Sequence, residues 1–416
     1  MKINWPHEFP GVYWQDKKEE QAVLDVLRNG SLFRYYGLRP PKHVDRYEKA
    51  ACAFYQVKHA LAVNSGTGAL MASMRAFGIG PGCEVIVPAF LWVATVGAVV
   101  QMDAIPVLCE VDDTFTMDPW DLQRKITPRT KLIVPIHMAG APCNMTAIMK
   151  IARQHGIPVL EDCAQCNGGS YRGQKVGTFG DMGIFSLQLN KNMTCGEGGL
   201  VITNNTHLYT RAFAAHDMGL IRVNGRLSMP EPSSLLWGGG RRMSELCGAV
   251  AGVQLRKLPK ILAQMRASKQ RIKQWIKNTP GLSFRRLTDE QGDSGPFLIL
   301  TLSGEKQALQ AVRVMREQGL HNVHRLADYG LHIYSNIPSL VKKIPLSPAG
   351  NPWRLEANRR SVYNYQAGAC PQSDELFARS ILLPIPSRLT RKQEQAAAQI
   401  IRKAAGSLDA RYKTNC

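Results

Sequence analysis

Short apolar segments alternate with segments of helical periodicity between about residue 58 and residue 205. The apolar segments are HALAV, EVIVPAF, IPVLCEVD, KLIVPIHM, IPVLEDC and MGIFSL, and polar residues or glycine follow each of them. The stretch TGALMASMRAFGI, between the first two, has the spacing of an amphipathic helix. This alternation predicts an open, mostly parallel α/β sheet with helices on both faces. Ligands of such sheets bind beyond the carboxyl ends of the strands.

The pattern changes after residue 240. A long basic amphipathic helix, the apolar segment PFLILTL, a helix near 306–319 and a last helix after residue 390 follow in turn. These elements predict a smaller α+β domain, with a boundary near residue 255. We therefore expect residues 1–255 to form an N-terminal segment plus the large domain, and residues 256–416 to form the small domain. The chain before residue 58, with its turn-rich RNGSLFRYYG, is expected to cap one or both domains.

The chain is strongly basic, with a net charge of +20 from 52 Lys and Arg against 32 Asp and Glu. The basic residues are dispersed, and their main cluster near 254–277 alternates with apolar residues at helical spacing, which favours a solvated helix face. No helix-turn-helix, zinc-finger or aromatic RNA-binding pattern is visible. We therefore expect no nucleic-acid partner, and the charge indicates either solubility or an anionic small molecule.

The targeting and cysteine patterns are those of a cytoplasmic protein. The N-terminus lacks the apolar core of a signal peptide, and no run of about 18 apolar residues marks a membrane span. Ten cysteines without framework spacing indicate reduced thiols. Cys163 and Cys166 form one CxxC, but a zinc site would need a second pair with metal spacing. We predict neighbouring residues in an apolar turn and no metal.

The first of three motifs at predicted strand ends is NSGTGAL, residues 64–70. Gly66 and Gly68 allow a ligand to approach the backbone closely, and Ser65 or Thr67 can cap a helix whose free N–H groups attract a phosphate. A plain helix cap would have the same sequence. The motif therefore permits a phosphate site without proving one.

The second motif is EDCAQ, residues 161–165, and the third is FSLQLNKNMTCGEGG, residues 185–199. Adjacent acids at a strand end are commonly an exposed turn. Asp162 could alternatively face a heterocyclic nitrogen and keep it protonated, as pyridoxal phosphate chemistry requires. Lys191 follows an apolar strand and precedes a glycine-rich turn, and a half-buried lysine there can bond covalently to the cofactor aldehyde. Ser186 can bind the phosphate.

These motifs together resemble the DegT/DnrJ/StrS family of sugar aminotransferases, and the resemblance covers nearly the whole chain. Its further signatures are VIVPAFLWVATVGAVV, EDCAQCNGGSYRGQKVGTFGD, RRMSEL and ILLPIPSRLT. The resemblance implies an aspartate aminotransferase type fold (fold type I), a homodimer, and pyridoxal phosphate as cofactor. It also implies transamination, because relatives with histidine in place of the lysine are dehydratases.

The family pattern also implies individual roles. Lys191 would carry the cofactor and Asp162 would pair with its ring nitrogen, while Gln165 would lie near the ring hydroxyl. Trp92 would stack on the ring, although core packing is the alternative for a tryptophan. The implied phosphate contacts are Gly66, Thr67 and Ser186. Gly240 stands where many relatives have an asparagine that reaches the partner's phosphate, and Arg241 could replace that contact with charge.

The substrate is expected to be a small sugar, with glutamate as the typical amino donor and glutamine as an alternative. RNGSLFRYYG, NPW at 351–353 and CPQSDELFARS resemble a subgroup that acts on free sugars or cyclitols. One candidate is the 8-oxo form of 3-deoxy-manno-octulosonate, an acid sugar of lipopolysaccharide biosynthesis, and the other is an inosose or another cyclitol. A nucleotide-linked sugar, which many members of the family use, is a further alternative. Net charge favours the acid sugar. The expected substrate contacts are Arg34, Tyr35, His137, Arg241 and His324.

A competing class is a cofactor-binding sensor or regulator built on the same fold. Such a regulator would be expected to carry an appended DNA-binding domain. No segment of this sequence has the pattern of one, and SLDARYKTNC at the end is too short. The sequence therefore favours an enzyme.

Overall fold

The strands and helices alternate along the first half of the chain in the computed structural model, which describes residues 3–7, 9–347 and 350–406. The strands are β1 His59–Val63, β2 Glu84–Pro88, β3 Ile105–Cys109, β4 Thr130–Ile133, β5 Leu160–Asp162, β6 Ser170–Tyr171, β7 Gln174–Lys175, β8 Met182–Ser186, β9 Gly199–Thr203, β10 Ile221–Val223, β11 Arg226–Ser228, β12 Leu282–Phe284, β13 Phe297–Leu302, β14 His324–Arg325 and β15 Ser380–Pro384. The helices are α1 Lys17–Asn29, α2 His43–Tyr55, α3 Gly66–Ala76, α4 Val93–Val100, α5 Pro119–Lys125, α6 Met145–His155, α7 Thr206–His216, α8 Glu245–Ile276, α9 Glu305–Glu317, α10 Pro338–Val341, α11 Pro371–Ala378 and α12 Arg391–Gly406.

The large sheet consists of two ladders, with strand orders β3-β2-β4 and β1-β9-β8-β5. Isolated parallel bridges, Ile133 to Val159 and Ile136 to Asp162, join β4 to the β5 edge. Strand β9 is antiparallel to both of its neighbours, whereas the β2-β3, β2-β4 and β5-β8 pairs are parallel. The predicted mostly parallel α/β sheet is therefore confirmed.

Burial on both faces explains why these strands have continuous apolar sequences. Every residue of β2, β3, β8 and β9 is buried, as expected for strands of a sheet that helices cover on both faces. The helices alternate instead: α6, for example, buries Met145, Ile148, Ile151 and Ala152 and exposes its polar face. One apolar core lies between α3, α4 and the sheet, and a second lies between α2, α8 and the opposite face.

The small sheet has the order β12-β13-β15-β14, and all of its pairs are antiparallel. Helices α9 and α12 pack on it together with Ile272 and Ile276 of α8, and Trp5 from the N-terminal segment enters the same core. This agrees with the predicted α+β C-terminal unit. Helix α8 continues through residue 255 without a break. We propose that the domain division lies within this helix.

A segment of the C-terminal half returns to the large domain. Leu326, Tyr334 and Tyr365 are buried in the core next to α3 and α4, and the Tyr365 hydroxyl donates to the Pro106 carbonyl at 2.8 Å. This long-range contact brings residues near 332 to the edge of the large sheet. In the described ranges, no helix combines the length and apolar character that crossing a bilayer requires.

Candidate active site

A cavity of about 390 Å³ lies at the ends of β5 and β8, where α3 and α4 begin. It is at the carboxyl edge of the sheet, where the fold class places ligands. The structure brings all seven predicted cofactor-binding residues to its wall, namely Gly66, Thr67, Trp92, Asp162, Gln165, Ser186 and Lys191. The other lining residues are Ser65, Leu70, Ala94, Thr95, Ile136, Met138, Ala164, Ile184, Gln188, Asn190, Glu197 and His332.

The start of α3 forms one end of the cavity. Ser65 is its N-cap, and the Ser65 hydroxyl accepts a hydrogen bond from the Gly68 N–H at 2.9 Å. The first N–H groups of a helix have no partner within the helix, and the helix dipole is positive there. Ser186, at the end of β8, packs so closely that a Cβ on Gly66 would lie 2.8 Å from the Ser186 Cβ. This end is suited to an anion.

Asp162 forms another wall at the end of β5 and is 4% exposed. One carboxylate oxygen accepts from the Thr95 hydroxyl at 3.0 Å, and the other accepts from the Ala164 N–H at 3.0 Å. The Ala164 contact turns the chain and ends the strand. Burial raises the pKa of Asp162, although these two donors and Lys191 oppose the shift. A cationic group in the cavity would therefore stabilise the carboxylate.

Lys191 stands in a loop that closes on itself between β8 and β9. The Leu187 N–H donates to the Gly198 carbonyl at 2.8 Å, and the Cys195 N–H donates to the Leu187 carbonyl at 3.1 Å. The Lys191 N–H donates to the Gln188 carbonyl at 3.0 Å, and its own carbonyl accepts from Gly11 at 3.3 Å. This non-helical loop agrees with the glycine-rich turn in the sequence. It presents the half-buried lysine to the cavity.

Trp92 is the N-cap residue of α4, and 43% of its surface is exposed. Its ring lies 4.6 Å from that of His332, which in turn stacks on Tyr329 at 4.2 Å. The Leu91 N–H donates to the His332 carbonyl at 3.0 Å and fixes this contact. Burial, followed by the charge of Lys191, lowers the pKa of His332 to about 3. The imidazole is therefore neutral at physiological pH.

A second, smaller cavity of about 30 Å³ adjoins the first. The two cavities share five lining residues and adjoin as one site; these are Ala164, Gln165, Asn190, Lys191 and His332. The Gln165 side-chain carbonyl accepts from the Ala139 N–H at 3.0 Å, which orients its amide group. The additional residues of the smaller cavity are Pro10, Asn192, Pro296, Phe297, Tyr329 and Ile385.

The five predicted substrate contacts are not part of either lining in the described ranges. Arg34 is 3% exposed, and its guanidinium bonds both oxygens of Glu48 at 2.8 Å and the Ala62 carbonyl at 3.0 Å. The Tyr35 hydroxyl lies 2.9 Å from His216 Nε2. Arg34 thus ties the N-terminal segment to β1, and Tyr35 ties it to the end of α7.

His137 is fully buried behind the cavity. Its Nδ1 accepts from the Cys143 N–H at 3.0 Å, and its Nε2 lies 2.9 Å from Glu161. With Cys163 these two residues have donor atoms close enough for a metal. However, the Glu161 carboxylate already accepts from the N–H groups of residues 177, 179 and 180. The cluster is therefore a hydrogen-bonded support for the loop after β7.

Arg241 and His324 also have other surroundings. A guanidinium nitrogen of Arg241 lies 3.5 Å from the Met71 sulfur on α3, outside the cavity. His324 lies 3.3 Å from an Arg316 nitrogen and 5.3 Å, ring to ring, from Tyr329. His324 therefore reaches the site only through the Tyr329 ring.

Thr95 and His332 also line the cavity, and neither was predicted from the sequence. Thr95 lies one turn after Trp92 in LWVAT, and this spacing could have predicted that Thr95 belongs to the same site. His332 comes from the returning C-terminal segment, where only the grouping of His324, Tyr329 and His332 hinted at a shared surface. The CxxC interpretation agrees with the structure, since Cys163 and Cys166 are buried in a turn in which the Cys166 N–H donates to the Cys163 carbonyl at 2.9 Å.

Comparison with solved structures gives the same fold. A 3-amino-5-hydroxybenzoic acid synthase is 26% identical, with a TM-score of 0.77 over 98% of this chain and 99% of that one. DesV from S. venezuelae is 25% identical, with a TM-score of 0.76 over 94% of each chain. PseC from Helicobacter pylori, an aminotransferase of pseudoaminic acid biosynthesis, is 21% identical, with a TM-score of 0.77 over 94% and 97%.

The model of the DegT/DnrJ/EryC1/StrS aminotransferase family matches residues 14–335 of the sequence. That range contains α3, the strand ends and the Lys191 loop, and it ends just after His332. The family's aminotransferases use pyridoxal phosphate. The chain therefore belongs to the DegT/DnrJ/EryC1/StrS aminotransferase family and is a pyridoxal-phosphate-dependent transaminase of fold type I.

Proposed function

We propose that this cavity is the cofactor site, with Lys191 and Asp162 as its catalytic residues, and that the enzyme aminates a free sugar. One observation carries the proposal: a lysine, a buried carboxylate and a helix start line the same cavity. These are the amine, the ring-nitrogen partner and the phosphate cradle that pyridoxal phosphate needs.

The anion-binding end fits the cofactor phosphate. The N–H groups at the start of α3, including those of Gly66 and Thr67, attract a dianion. Ser186 adds a hydroxyl and, by its closeness, requires a residue without a side chain at position 66. The phosphate would thus be held mainly by backbone groups, which need no reorganisation on binding.

Asp162 would pair with the protonated ring nitrogen. Burial without a cationic partner disfavours the charged form of Asp162. A cation in the cavity would complete a buried ion pair and stabilise that form. When bound, the cofactor supplies an electron sink, and Asp162 keeps that sink protonated. Thr95 and Ala164 hold both carboxylate oxygens, so the carboxylate keeps its orientation through the reaction.

Lys191 would bind the cofactor aldehyde and, once released, move a proton to or from the substrate carbon. The loop holds its backbone by hydrogen bonds at both sides. Trp92 would cover one face of the ring, backed by His332. The Gln165 amide, fixed by Ala139, would donate toward the ring hydroxyl.

A homodimer is also proposed. Large apolar side chains are exposed between residues 218 and 237, among them Trp237 at 88% and Met229 at 66%. The N-terminal loop adjoins them, since the Arg222 guanidinium lies 4.3 Å over the Tyr35 ring. Several exposed large apolar side chains in one segment support a subunit interface there. Sedimentation velocity at assay concentration tests this; a fully active monomer would contradict it.

The acceptor that we propose first is the 8-oxo form of 3-deoxy-manno-octulosonate, with glutamate as the amino donor. The product would be 8-amino-3,8-dideoxy-manno-octulosonate, an acid sugar of lipopolysaccharide biosynthesis. The subgroup motifs and the net charge of +20 support it. In the described ranges, however, no arginine lines either cavity. A carboxylate on the substrate would therefore need a cation from the partner subunit.

A neutral cyclitol ketone is the second candidate, and the lining itself favours it. Gln165, Gln188, Asn190 and Asn192 offer uncharged amide groups, which suit ring hydroxyls. His332 adds no charge, because its pKa is about 3.

One comparison separates the two acceptors. The turnover of three amino donors is measured with 2-oxoglutarate as acceptor. The donors are 8-amino-3,8-dideoxy-manno-octulosonate, its carboxamide and scyllo-inosamine. An arginine-bound carboxylate predicts that the carboxamide loses roughly 30-fold or more in kcat/KM, since an unpaired charge costs about 2–5 kcal/mol. Equal values for acid and carboxamide, or a preference for the inosamine, favour the cyclitol. No turnover of any of the three would contradict both.

A further inference from the structure

The turn Met138–Gly140, which follows β4, has a left-handed backbone beside the cavity. Ala139 has a φ of 52° and a ψ of 38°, and Gly140 has a φ of 81°. A residue other than glycine is strained in this region. The Ala139 N–H donates to the Gln165 side-chain carbonyl at 3.0 Å, and Gln165 lines the cavity. The conformation of the turn therefore sets where the Gln165 amide lies.

Arg285 holds this turn from the small sheet. It follows β12, and its N–H donates to the Ile299 carbonyl of β13 at 3.2 Å. Its guanidinium donates to the carbonyls of Met138 at 3.0 Å, Ala139 at 3.2 Å and Thr114 at 2.9 Å. The side chain therefore reaches from the small sheet to two successive carbonyls of the turn.

A buried charge is costly unless it gains strong hydrogen bonds. Arg285 is 6% exposed, and its three bonds all end on backbone oxygens. Burial lowers the pKa of Arg285 to about 10, so the guanidinium stays charged at neutral pH. Charge-assisted hydrogen bonds are stronger than neutral ones, and the rigid fork of an arginine fits two adjacent oxygens better than a lysine does. Arg285 is therefore suited to hold a strained backbone.

A second segment after β12 closes the other side of the turn. The Gly140 carbonyl accepts from the Ser294 N–H at 2.8 Å and from the Ser294 hydroxyl at 3.1 Å. A Cβ on Gly140 would lie 2.5 Å from the Pro296 Cδ, and Pro296 lines the smaller cavity. The turn is thus packed tightly between this segment and the site.

We propose that Arg285 is a positioning residue, which keeps Ala139 in the left-handed conformation and thereby orients the Gln165 amide in the cavity. Ala139 occupies the side-chain oxygen of Gln165, so the NH₂ group of Gln165 is the donor left for a ligand. In the described ranges, Arg285 itself is part of neither lining. The effect on the cofactor rests on the proposed cofactor site, whereas the hold of Arg285 on the turn does not.

Hydrogen exchange of the holoenzyme tests the hold on the turn. In Arg285→Met, the peptide that covers residues 138–140 should exchange at least tenfold faster than in the wild type, whereas peptides of α7 should be unchanged. Arg286→Met is the matched control, because Arg286 is the next residue, its side chain is 53% exposed, and it bonds Asp113. Equal exchange of the turn in all three proteins, or faster exchange of α7 as well, would overturn the proposal.

Binding of pyridoxamine phosphate, which forms no covalent bond with Lys191, tests the route through Gln165. The full chain is freed of cofactor and titrated, and tryptophan fluorescence is followed. Arg285→Met should raise the Kd by roughly 10-fold or more, as expected for the loss of one hydrogen bond to a charged oxygen, and Arg286→Met should bind normally. In a Gln165→Leu background, Arg285→Met should change the Kd less than twofold. An equal loss in both backgrounds would show that Arg285 serves only the fold.

The remaining variants keep the outcomes apart. Gln165→Leu alone should weaken binding as much as Arg285→Met does; unchanged binding would refute the proposed cofactor contact of Gln165, and hydrogen exchange would then decide the hold of Arg285. Adding Ala139→Gly to Arg285→Met should recover at least threefold in affinity, because glycine adopts the left-handed conformation without strain. No recovery would contradict the role of the Ala139 backbone. If Arg285→Met does not fold, Arg285→Lys keeps the charge without spanning both carbonyls, and the same order of affinities is expected.

Discussion

Replacing Asp162 with asparagine removes one charge and almost no volume. The structure indicates that the framework tolerates this change. The asparagine carbonyl can still accept from the Ala164 N–H, and the Thr95 hydroxyl can rotate to accept from the new amide. Asp162→Asn therefore isolates the carboxylate charge from the local fold.

The magnitude of the effect follows from burial. Asp162 is 4% exposed, and breaking a buried ion pair costs about 3–5 kcal/mol. At about 1.36 kcal/mol per tenfold change in rate, this corresponds to a loss of roughly 150- to 5,000-fold. Thr95→Val keeps the charge and removes one hydrogen bond to it, worth about 1.5–3 kcal/mol. Its loss should be roughly 10- to 150-fold, below the range expected for Asp162→Asn.

The assay is the single-turnover reaction of the cofactor-loaded enzyme with glutamate, followed by the absorbance of the cofactor. Cofactor content is measured in parallel after alkaline release, so that lost binding is not mistaken for lost chemistry. A rate for Asp162→Asn within threefold of wild type, at full cofactor occupancy, would refute the proposed role of the charge.

The pKa shift provides an independent control on folding. Because burial raises the pKa of Asp162 in the folded protein, its stability contribution is full below the unfolded pKa and is lost as pH rises through the folded pKa. Without cofactor, Asp162→Asn should thus melt at or above the wild-type temperature at pH 7.5. The two should converge near pH 3. A clearly lower melting temperature at pH 7.5 would show that the carboxylate serves the fold.

Three other predictions concern neighbouring residues. Lys191→Ala should fold and bind pyridoxal phosphate only noncovalently, and borohydride reduction of the wild type should attach the cofactor to Lys191; attachment to another lysine would contradict the assignment. Gly66→Ala should weaken cofactor binding by roughly 10-fold or more because its Cβ would crowd Ser186, whereas a Cβ at Gly97 of α4 meets no atom within 4 Å and Gly97→Ala should bind normally; equal cofactor titrations would refute the cradle. His332→Asn should leave the pH profile of kcat/KM unchanged between pH 5 and 9, since the pKa of His332 is about 3; a lost inflection would show that this histidine titrates.

The sequence identified residues that line one cavity, the proposed cofactor site, because each signal there is local. Lys191, Asp162 and the residues near Gly66 each follow their own apolar strand, and strand ends meet at one edge of a sheet. The alternation of strands and helices likewise predicted the large sheet. Strand β9 lies in the apolar run after the glycine-rich turn, but the six predicted strands did not include it.

The expected substrate contacts depended on distant partners that periodicity does not reveal. Arg34 looked available for a substrate carboxylate, but Glu48, one turn into α2, binds it. His137 is held by Glu161 and a backbone N–H. His332 reaches Trp92 only because the chain returns from the small sheet to the large core. Such pairings are set by tertiary packing, and a charge or ring in a sequence does not show which partner it will find.

The return of the chain from the small sheet also sets the order in which the site can be completed. Trp92 and Lys191 leave the ribosome long before His332 and Tyr365. His332 completes the cavity wall beside Trp92, and Tyr365 binds the Pro106 carbonyl. At about 5–20 residues per second, Trp92 waits roughly 10–50 s for its aromatic partner. During that time, a partly built sheet exposes its core face beside an open cavity. The newly made protein would therefore retain its cofactor only near the end of synthesis, and chaperone protection is most valuable before that point.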